Sequence, residues 1–110
     1  MSDIGDTKPP APLPEPFHIP RAILEAWLKI PAGDYVEVKA TRHDLDLLLF
    51  GLTKLGRSQR ELQQCVIEWS NNRLVTANER LQESQRLTIE GDNEVRQFFA
   101  ALMASAALGE

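Results

Sequence analysis

The chain has few of the residues from which redox, metal-binding and membrane-spanning proteins are built. It contains one cysteine, Cys65, and two histidines in 110 residues. A lone cysteine excludes an internal disulfide and fits a reducing compartment. No apolar run approaches the ~20 residues that a transmembrane helix needs. We therefore expect a soluble, cytoplasmic protein without a membrane partner.

Basic charge is also scarce. The chain has 12 Lys and Arg against 16 Asp and Glu, which gives a net charge of −4 and a pI near 5.2. Nucleic acids and anionic membranes attract basic surfaces, so this balance argues against both as partners. A length of 110 residues allows one domain, and a hydrophobic content of 43% is enough for a small core.

The residues with reactive side chains are too far apart to act together. His43 and Cys65 would lie on one continuous helix, where their separation of 22 residues corresponds to ~33 Å. A nucleophile and its base must be within hydrogen-bond reach. Two distant histidines and one cysteine also make a poor set of metal ligands. We therefore predict no enzyme, no cofactor and no metal site.

Apolar residues recur along the middle of the chain at alternating steps of three and four. This spacing is the pattern of a helix that packs lengthwise against another helix. Only one of the eight positions is polar. The stripe consists of Leu45, Leu48, Leu52, Leu55, Gln59, Leu62, Val66 and Trp69.

A second stripe with the same alternation follows the polar residues 70–73. It consists of Leu74, Ala77, Leu81, Ser84, Thr88, Gly91, Val95, Phe98, Leu102 and Ser105. Two stripes of similar length joined by a short polar turn indicate an antiparallel helical hairpin. We predict an all-α fold with long helices over about residues 42–70 and 73–106.

A short amphipathic helix is predicted over residues 20–29, with Pro20 at its first position. Ile23, Leu24, Trp27 and Leu28 share one of its faces. The base of the hairpin has more apolar surface than a two-helix seam can bury. We therefore expect this short helix to complete a three-helix base, with residues 20–110 as one helical domain.

Two segments lie outside the predicted helices. Residues 1–19 are predicted to form a Pro-rich extended arm, because closely spaced prolines favour polyproline II and forbid helix. The arm is either a disordered tether or a segment that lies along a partner. Residues 35–39 alternate in the manner of a strand. They either pair with another copy of the protein or are merely extended.

The first long helix has a recognisable start and two interior glycines. Thr41 and Asp44 have the spacing of a capping box. Gly51 and Gly56 each cost roughly 1 kcal/mol relative to Ala within a helix. A glycine in a packed helix often admits a bulky neighbour, so we expect residues 98–99, both phenylalanine, to fill this space.

One polar layer is predicted in the seam of the hairpin. Antiparallel pairing of the two stripes places Gln59 opposite Ser84 and Thr88. Polar layers of this kind fix the register of helix pairs at some cost in stability. We therefore expect these three residues to set the register.

Residues 35–69 also resemble ribbon-helix-helix DNA-binding proteins. The resemblance consists of an alternating segment, a helix with two leucines, and a Gly-Arg-Ser turn before a second helix: residues 36–41, Leu48, Leu52 and Gly56-Arg57-Ser58. It implies a turn at Gly56 and a ribbon shared by a dimer. On that ribbon Tyr35, Glu37 and Lys39 would point into the major groove of DNA.

The hairpin is the preferred interpretation, because the apolar stripe continues in phase across Gly56. It predicts a non-enzymatic interaction protein acting as an adaptor, chaperone or structural subunit, with a protein partner or a second copy and no nucleic acid. A transcriptional regulator of the ribbon-helix-helix type is the alternative. The candidate partner-binding residues are Leu13 and Phe17 of the arm and Leu47 and Phe50 of the base. These four could equally be core or linker residues.

Overall fold

The computed structural model describes residues 12–107, which form three α-helices. They are α1 (Arg21–Leu28), α2 (Arg42–Ser70) and α3 (Leu74–Ala107). α2 and α3 pack against each other along their length, and no strand occurs in the described range. The predicted all-α hairpin is therefore confirmed, with helix bounds within two residues of those expected. The parts of the predicted arm and domain in residues 1–11 and 108–110 lie outside the described residues.

α2 begins at the predicted capping box. The hydroxyl of Thr41 accepts a hydrogen bond of 3.1 Å from the Asp44 backbone N–H. In return, the Asp44 carboxylate accepts one of 3.0 Å from the Thr41 N–H. Two N–H groups that the helix itself cannot satisfy are thus paired.

The turn between α2 and α3 depends on one asparagine with a left-handed backbone. Asn72 has φ 61°, a conformation that asparagine tolerates better than most residues. Its N–H donates to the Trp69 carbonyl (3.0 Å), and the Arg73 N–H donates to the Glu68 carbonyl (2.8 Å). These two bonds form a Schellman motif, which ends α2 and reverses the chain.

Buried residues occur at every seventh position of α3. The row contains Ala77, Ser84, Gly91, Phe98 and Ser105. On α2 the buried residues are Gly51 and Ser58, also seven apart. Because most of these side chains are small, the two helix backbones lie close together. The seam is therefore narrow and contains few large apolar side chains.

α1 packs against α3 and does not approach α2. Its Ile23, Ala26 and Trp27 are half-buried, and none of its residues is fully buried. Pro20 serves as the N-cap rather than the first helical residue, and its carbonyl accepts the N–H of Ile23 at 3.0 Å. The short helix thus completes the base from one side of the hairpin only.

The segment between α1 and α2 has no regular secondary structure. Every residue from 31 to 40 is exposed, and Gly33 has a positive φ of 93°. The predicted strand-like residues 35–39 are extended without a paired strand in residues 12–107. A hydrogen bond connects the segment to the hairpin: the Lys39 N–H donates to the Ser105 hydroxyl at 2.9 Å.

Candidate interaction surface

The seam of the hairpin lies beside the predicted α2 stripe rather than along it. Most of the stripe is exposed: Leu45 by 49%, Leu52 by 53% and Trp69 by 66%. Only Leu48 and Leu55, which border the seam, are half-buried. The expectation that the α2 stripe packs on α3 is therefore wrong for most of its residues. The narrow seam is made by small residues in the adjacent row instead.

A polar layer does occur in the seam, but Ser58 supplies it from α2. The Ser58 hydroxyl donates to the Ser84 carbonyl at 3.0 Å, and it also contacts the hydroxyl of Thr88. The Ser84 hydroxyl donates back to the Ser58 carbonyl at 2.9 Å. Gln59 is exposed, so its predicted place in the layer is wrong. A side chain one residue away lies about 100° around the helix.

Two glycines face each other one heptad from this layer. A Cβ at Gly51 would lie 2.8 Å from the Gly91 carbonyl oxygen and 2.8 Å from Cγ2 of Val95. A Cβ at Gly91 would lie 2.7 Å from the Gly51 carbonyl oxygen and 3.0 Å from Cγ of Leu55. Val95 and Leu55 therefore occupy the space above the glycines, and the predicted filling by the two phenylalanines is wrong.

On one side of the seam, ion pairs connect the two long helices. Lys54 of α2 pairs with Glu90 at 3.3 Å and with Glu94 of α3. Towards the tip, Arg80 pairs with Glu61 at 3.0 Å. We call this side the ionic face. Arg86 extends it on α3 by pairing with Glu83 at 2.7 Å and Glu90 at 2.6 Å.

The charges of the ionic face stabilise one another. The hydrogen bond to Glu94 raises the pKa of Lys54 above 10.5, against the opposing effect of burial. Desolvation alone would raise the pKa of Glu90, but hydrogen bonds from Arg86 and Lys54 outweigh it and hold that pKa below 4.5. The hydrogen bond from Arg86 likewise lowers the pKa of Glu83. Each of these groups therefore stays charged near neutral pH.

The opposite side of the seam is apolar. Leu55 and Val95 lie there over the facing glycines, and residues at heptad spacing from them continue along the same side of each helix. We call this side the apolar face. It consists of Leu45, Leu48, Leu52, Leu55, Leu62, Val66 and Trp69 of α2 and Leu74, Leu81, Val95 and Leu102 of α3.

The apolar face is both exposed and nearly free of charge. Leu62 is exposed by 47%, Val66 by 59% and Leu74 by 50%. The α2 rows that form and border the face contain no Asp, Glu, Lys or Arg between residues 45 and 70. On α3 the bordering row contains Asp92, which pairs with Arg96 at 2.6 Å. Large continuous apolar surfaces are rarely left exposed on monomeric proteins.

Gly56 lies at the border of the apolar face, near its midpoint. A Cβ there would meet no atom within 4 Å. The two interior glycines of α2 therefore differ, since Gly51 is required by the close approach of α3 and Gly56 is not. The hairpin itself gives no packing reason for glycine at position 56.

The four predicted partner-binding residues lie away from the apolar face. Leu47 precedes Lys54 by two helical turns, so it follows the row of the ionic face. Phe50, one turn before Lys54, is exposed by 55%. Leu13 and Phe17 lie on the N-terminal arm, with Leu13 exposed by 49% and Phe17 half-buried. The structure does not bring the four together into one surface.

Residues 12–19 of the arm lie along α3 and are held by Asn93. The Asn93 side chain accepts a 2.6 Å hydrogen bond from the Phe17 N–H and donates one of 2.8 Å to the Glu15 carbonyl. Further along the arm, Pro12 and Leu13 border an open groove of about 410 Å³ with Gln82 and Arg86 of α3. The arm thus contacts this chain's own helix.

The features required by the ribbon-helix-helix resemblance are missing. α2 continues without interruption through Gly56, where that fold requires a turn. Tyr35, Glu37 and Lys39 are exposed and form no strand. The resemblance is therefore wrong as to the fold, because residues 42–70 form one helix rather than two.

The remaining candidate residues form no cluster. His43 is exposed in the first turn of α2, and Cys65 is half-buried near its far end. Within residues 12–107 no three His, Cys, Asp or Glu side chains are grouped so that they could hold a metal ion. None of the three helices has the length and apolar character that a membrane span requires.

The buried α3 residues Ala77, Ser84 and Gly91 belong to the predicted second stripe, but their α2 counterparts Gly51 and Ser58 were missed because the larger apolar side chains beside them were preferred. Gly51 and Ser58 keep a seven-residue spacing with Cys65, as Ala77, Ser84 and Gly91 do on α3. This repeat of small residues is the signal that could have identified the seam. No family model, curated protein or solved structure matches the chain.

Proposed function

We propose that this chain is a non-enzymatic helical interaction protein whose binding surface is the apolar face of the hairpin. The observation that carries this proposal is the exposure of the α2 stripe, in which Leu52, Leu62 and Val66 are each about half exposed. Burying the exposed half of each side chain would stabilise it by roughly half of the 1.5–3 kcal/mol that full burial of an exposed side chain contributes. A partner that covers the face would recover that stabilisation.

The spacing of the exposed residues indicates the kind of partner. Alternating steps of three and four place the side chains in a straight row along the helix. Another helix matches such a row, because its own side chains fit between them at the same spacing. An extended peptide or a flat sheet has a different period. The expected partner is therefore α-helical, as in an adaptor, a chaperone or a structural subunit.

A photo-crosslinking experiment tests this function. A photoreactive amino acid is introduced at Gln59, in the row of the apolar face, and separately at Gln64, on another side of α2; both positions are exposed. In cells of the native host, the probe at Gln59 is expected to give discrete protein adducts and the probe at Gln64 is not. Equal labelling from both positions, or no adduct from Gln59, would contradict the proposal.

A further inference from the structure

We infer that the helical partner on the apolar face is a second copy of this chain, so that two hairpins form a four-helix bundle. This inference rests on the proposed function, because it identifies the occupant of the same surface. It is supported by the size of the core, the area of the face, the match of its two stripes and its charge.

The hairpin buries little apolar surface by itself. Its buried hydrophobic residues within residues 12–107 are Ala77, Leu87, Phe98 and Ala100, and Leu87 is the largest side chain that is fully buried. The large apolar side chains of α2 lie outside this core. Face-to-face packing of two hairpins would place them in a shared core between four helices, which is the normal arrangement in a bundle.

The area of the face fits a stable dimer. The α2 stripe from residue 45 to residue 69 is ~36 Å long at 1.5 Å per residue. Two neighbouring helices present a surface about 20 Å wide. The face therefore covers roughly 700 Å² per copy, close to the ~800 Å² per partner of a standard stable interface.

The second copy also has the right pattern. A partner for this face needs apolar rows at heptad spacing on two adjacent helices over about fifteen turns in total, and this chain has both rows. Packing two apolar faces together places no Lys or Arg in the interface, and the α2 rows contribute no charged residue to it. A charged partner would instead leave its charges unpaired against these rows, at a high desolvation cost.

Gly56 adds an observation that the single hairpin does not explain. The space above it is open to 4 Å, and it borders the apolar face near the middle of the stripe. A glycine at this place lets the backbone of a partner helix approach closely, as Gly51 does for α3. Glycine would then have the same role at both positions: Gly51 admits α3 of the same chain, and Gly56 admits a helix of the second copy.

The oligomeric state of the full chain tests the inference. Light scattering is expected to give twice the chain mass of 12.4 kDa. The double variant Leu52→Glu with Leu62→Glu is expected to be monomeric while keeping its helical circular dichroism, because both side chains are already half exposed. The matched control, Thr53→Glu with Gln64→Glu, adds the same charge at exposed positions off the face and should remain dimeric.

A gain-of-affinity variant keeps the test decisive if the double variant misfolds. Gln59→Leu removes the one polar residue from the α2 stripe and should lower the dimer dissociation constant about tenfold. Gln64→Leu should leave it unchanged. Equal effects of these two substitutions, or a dimer that survives Leu52→Glu with Leu62→Glu, would overturn the inference.

The two proposals fail separately. At ~100 µM a standard interface should be occupied. If the wild-type chain is still monomeric at that concentration, the inference that the partner is a second copy is wrong. If the probe at Gln59 then gives adducts with another protein, the proposed function survives. If the monomer gives no adduct, both proposals are wrong. An adduct of twice the chain mass supports both.

Discussion

Gly51 and Gly91 lie backbone to backbone at the seam of the hairpin. A Cβ on either residue would be within 2.8 Å of the carbonyl oxygen of the other, a distance that real side chains do not adopt. This contact sets how closely α2 and α3 approach. The absence of side chains at these glycines also leaves space for Leu55 and Val95, which belong to the apolar face.

Gly51→Ala is expected to destabilise the protein by about 2 kcal/mol, because the added methyl group must push the two helices apart. The higher helix propensity of alanine, about 1 kcal/mol, only partly offsets this strain. The free energy of unfolding in urea measures the effect. Gly56→Ala is the matched control when both variants are made in the monomeric Leu52→Glu with Leu62→Glu background, since its Cβ would meet nothing within 4 Å of the same chain.

The control is expected to leave the chain folded and helical around residue 56. If Gly51→Ala proves as well tolerated as Gly56→Ala, the close approach of the two helices at Gly91 is wrong.

Ser58→Ala is expected to cost about 1 kcal/mol, the usual value of a buried hydrogen bond. Its hydroxyl donates to the Ser84 carbonyl and contacts Thr88. With both variants made in the monomeric Leu52→Glu with Leu62→Glu background, Gln59→Ala, at the exposed neighbouring position, should change stability by less than ~0.5 kcal/mol. Thermal unfolding of the two variants compares the positions directly. A larger loss of stability in Gln59→Ala than in Ser58→Ala would contradict the assignment of Ser58 to the polar layer.

Asn93→Ala is expected to release residues 12–19 from α3, because it removes the hydrogen bonds to both Glu15 and Phe17. Amide hydrogen exchange should then rise at Phe17 and stay unchanged along α2. Gln97→Ala, one turn further along α3 and exposed, is the control. Unchanged protection of the Phe17 amide in Asn93→Ala would show that other contacts hold the arm.

The ionic face predicts a specific dependence of stability on pH. The pKa values of Glu83 and Glu90 lie below 4.5 in the folded chain, so their contribution is complete above that pH. It is lost as the pH falls from 4.5 through the folded values, because the unfolded chain binds protons first. The contribution of Lys54, whose pKa is raised, is lost instead as the pH rises above 10.5.

Urea unfolding between pH 3 and pH 7 (about the range over which carboxylates titrate) measures the acid limb. Glu90→Gln should lower stability at pH 7 and flatten its decline on acidification. Glu37→Gln, in the exposed segment before α2, should leave the wild-type profile unchanged. An equally steep decline in Glu90→Gln would mean that Glu90 does not contribute to it.

The sequence predicted the helices well because their signals are local. The capping spacing of Thr41 and Asp44 gave the start of α2, and the polar residues 70–73 gave its end. The phase of the apolar stripe across Gly56 was enough to prefer one continuous helix over a turn. Each of these features depends on residues within a few positions of one another.

The facing surfaces were predicted less well, because apolar spacing marks every row that avoids water and does not say which neighbour covers it. Leu52 and Val66 have the same spacing as a seam, yet they are exposed. Ser58 lies in the seam although it is polar, since its hydroxyl finds partners on α3. The spacing of residues within one helix does not specify which residues of another helix will face them.

The sequence by itself therefore determined three helices, their order and their antiparallel reversal, because capping, periodicity and turn formation are short-range effects. Only the tertiary structure decided that small residues of α2 form its side of the seam, that ion pairs lie on one side of the seam and that the apolar stripe of α2 faces outward. The physical reason is the approach of Gly51 to Gly91. Because the two backbones are in contact there, the seam has no room for the large side chains of α2, which lie beside it and are exposed.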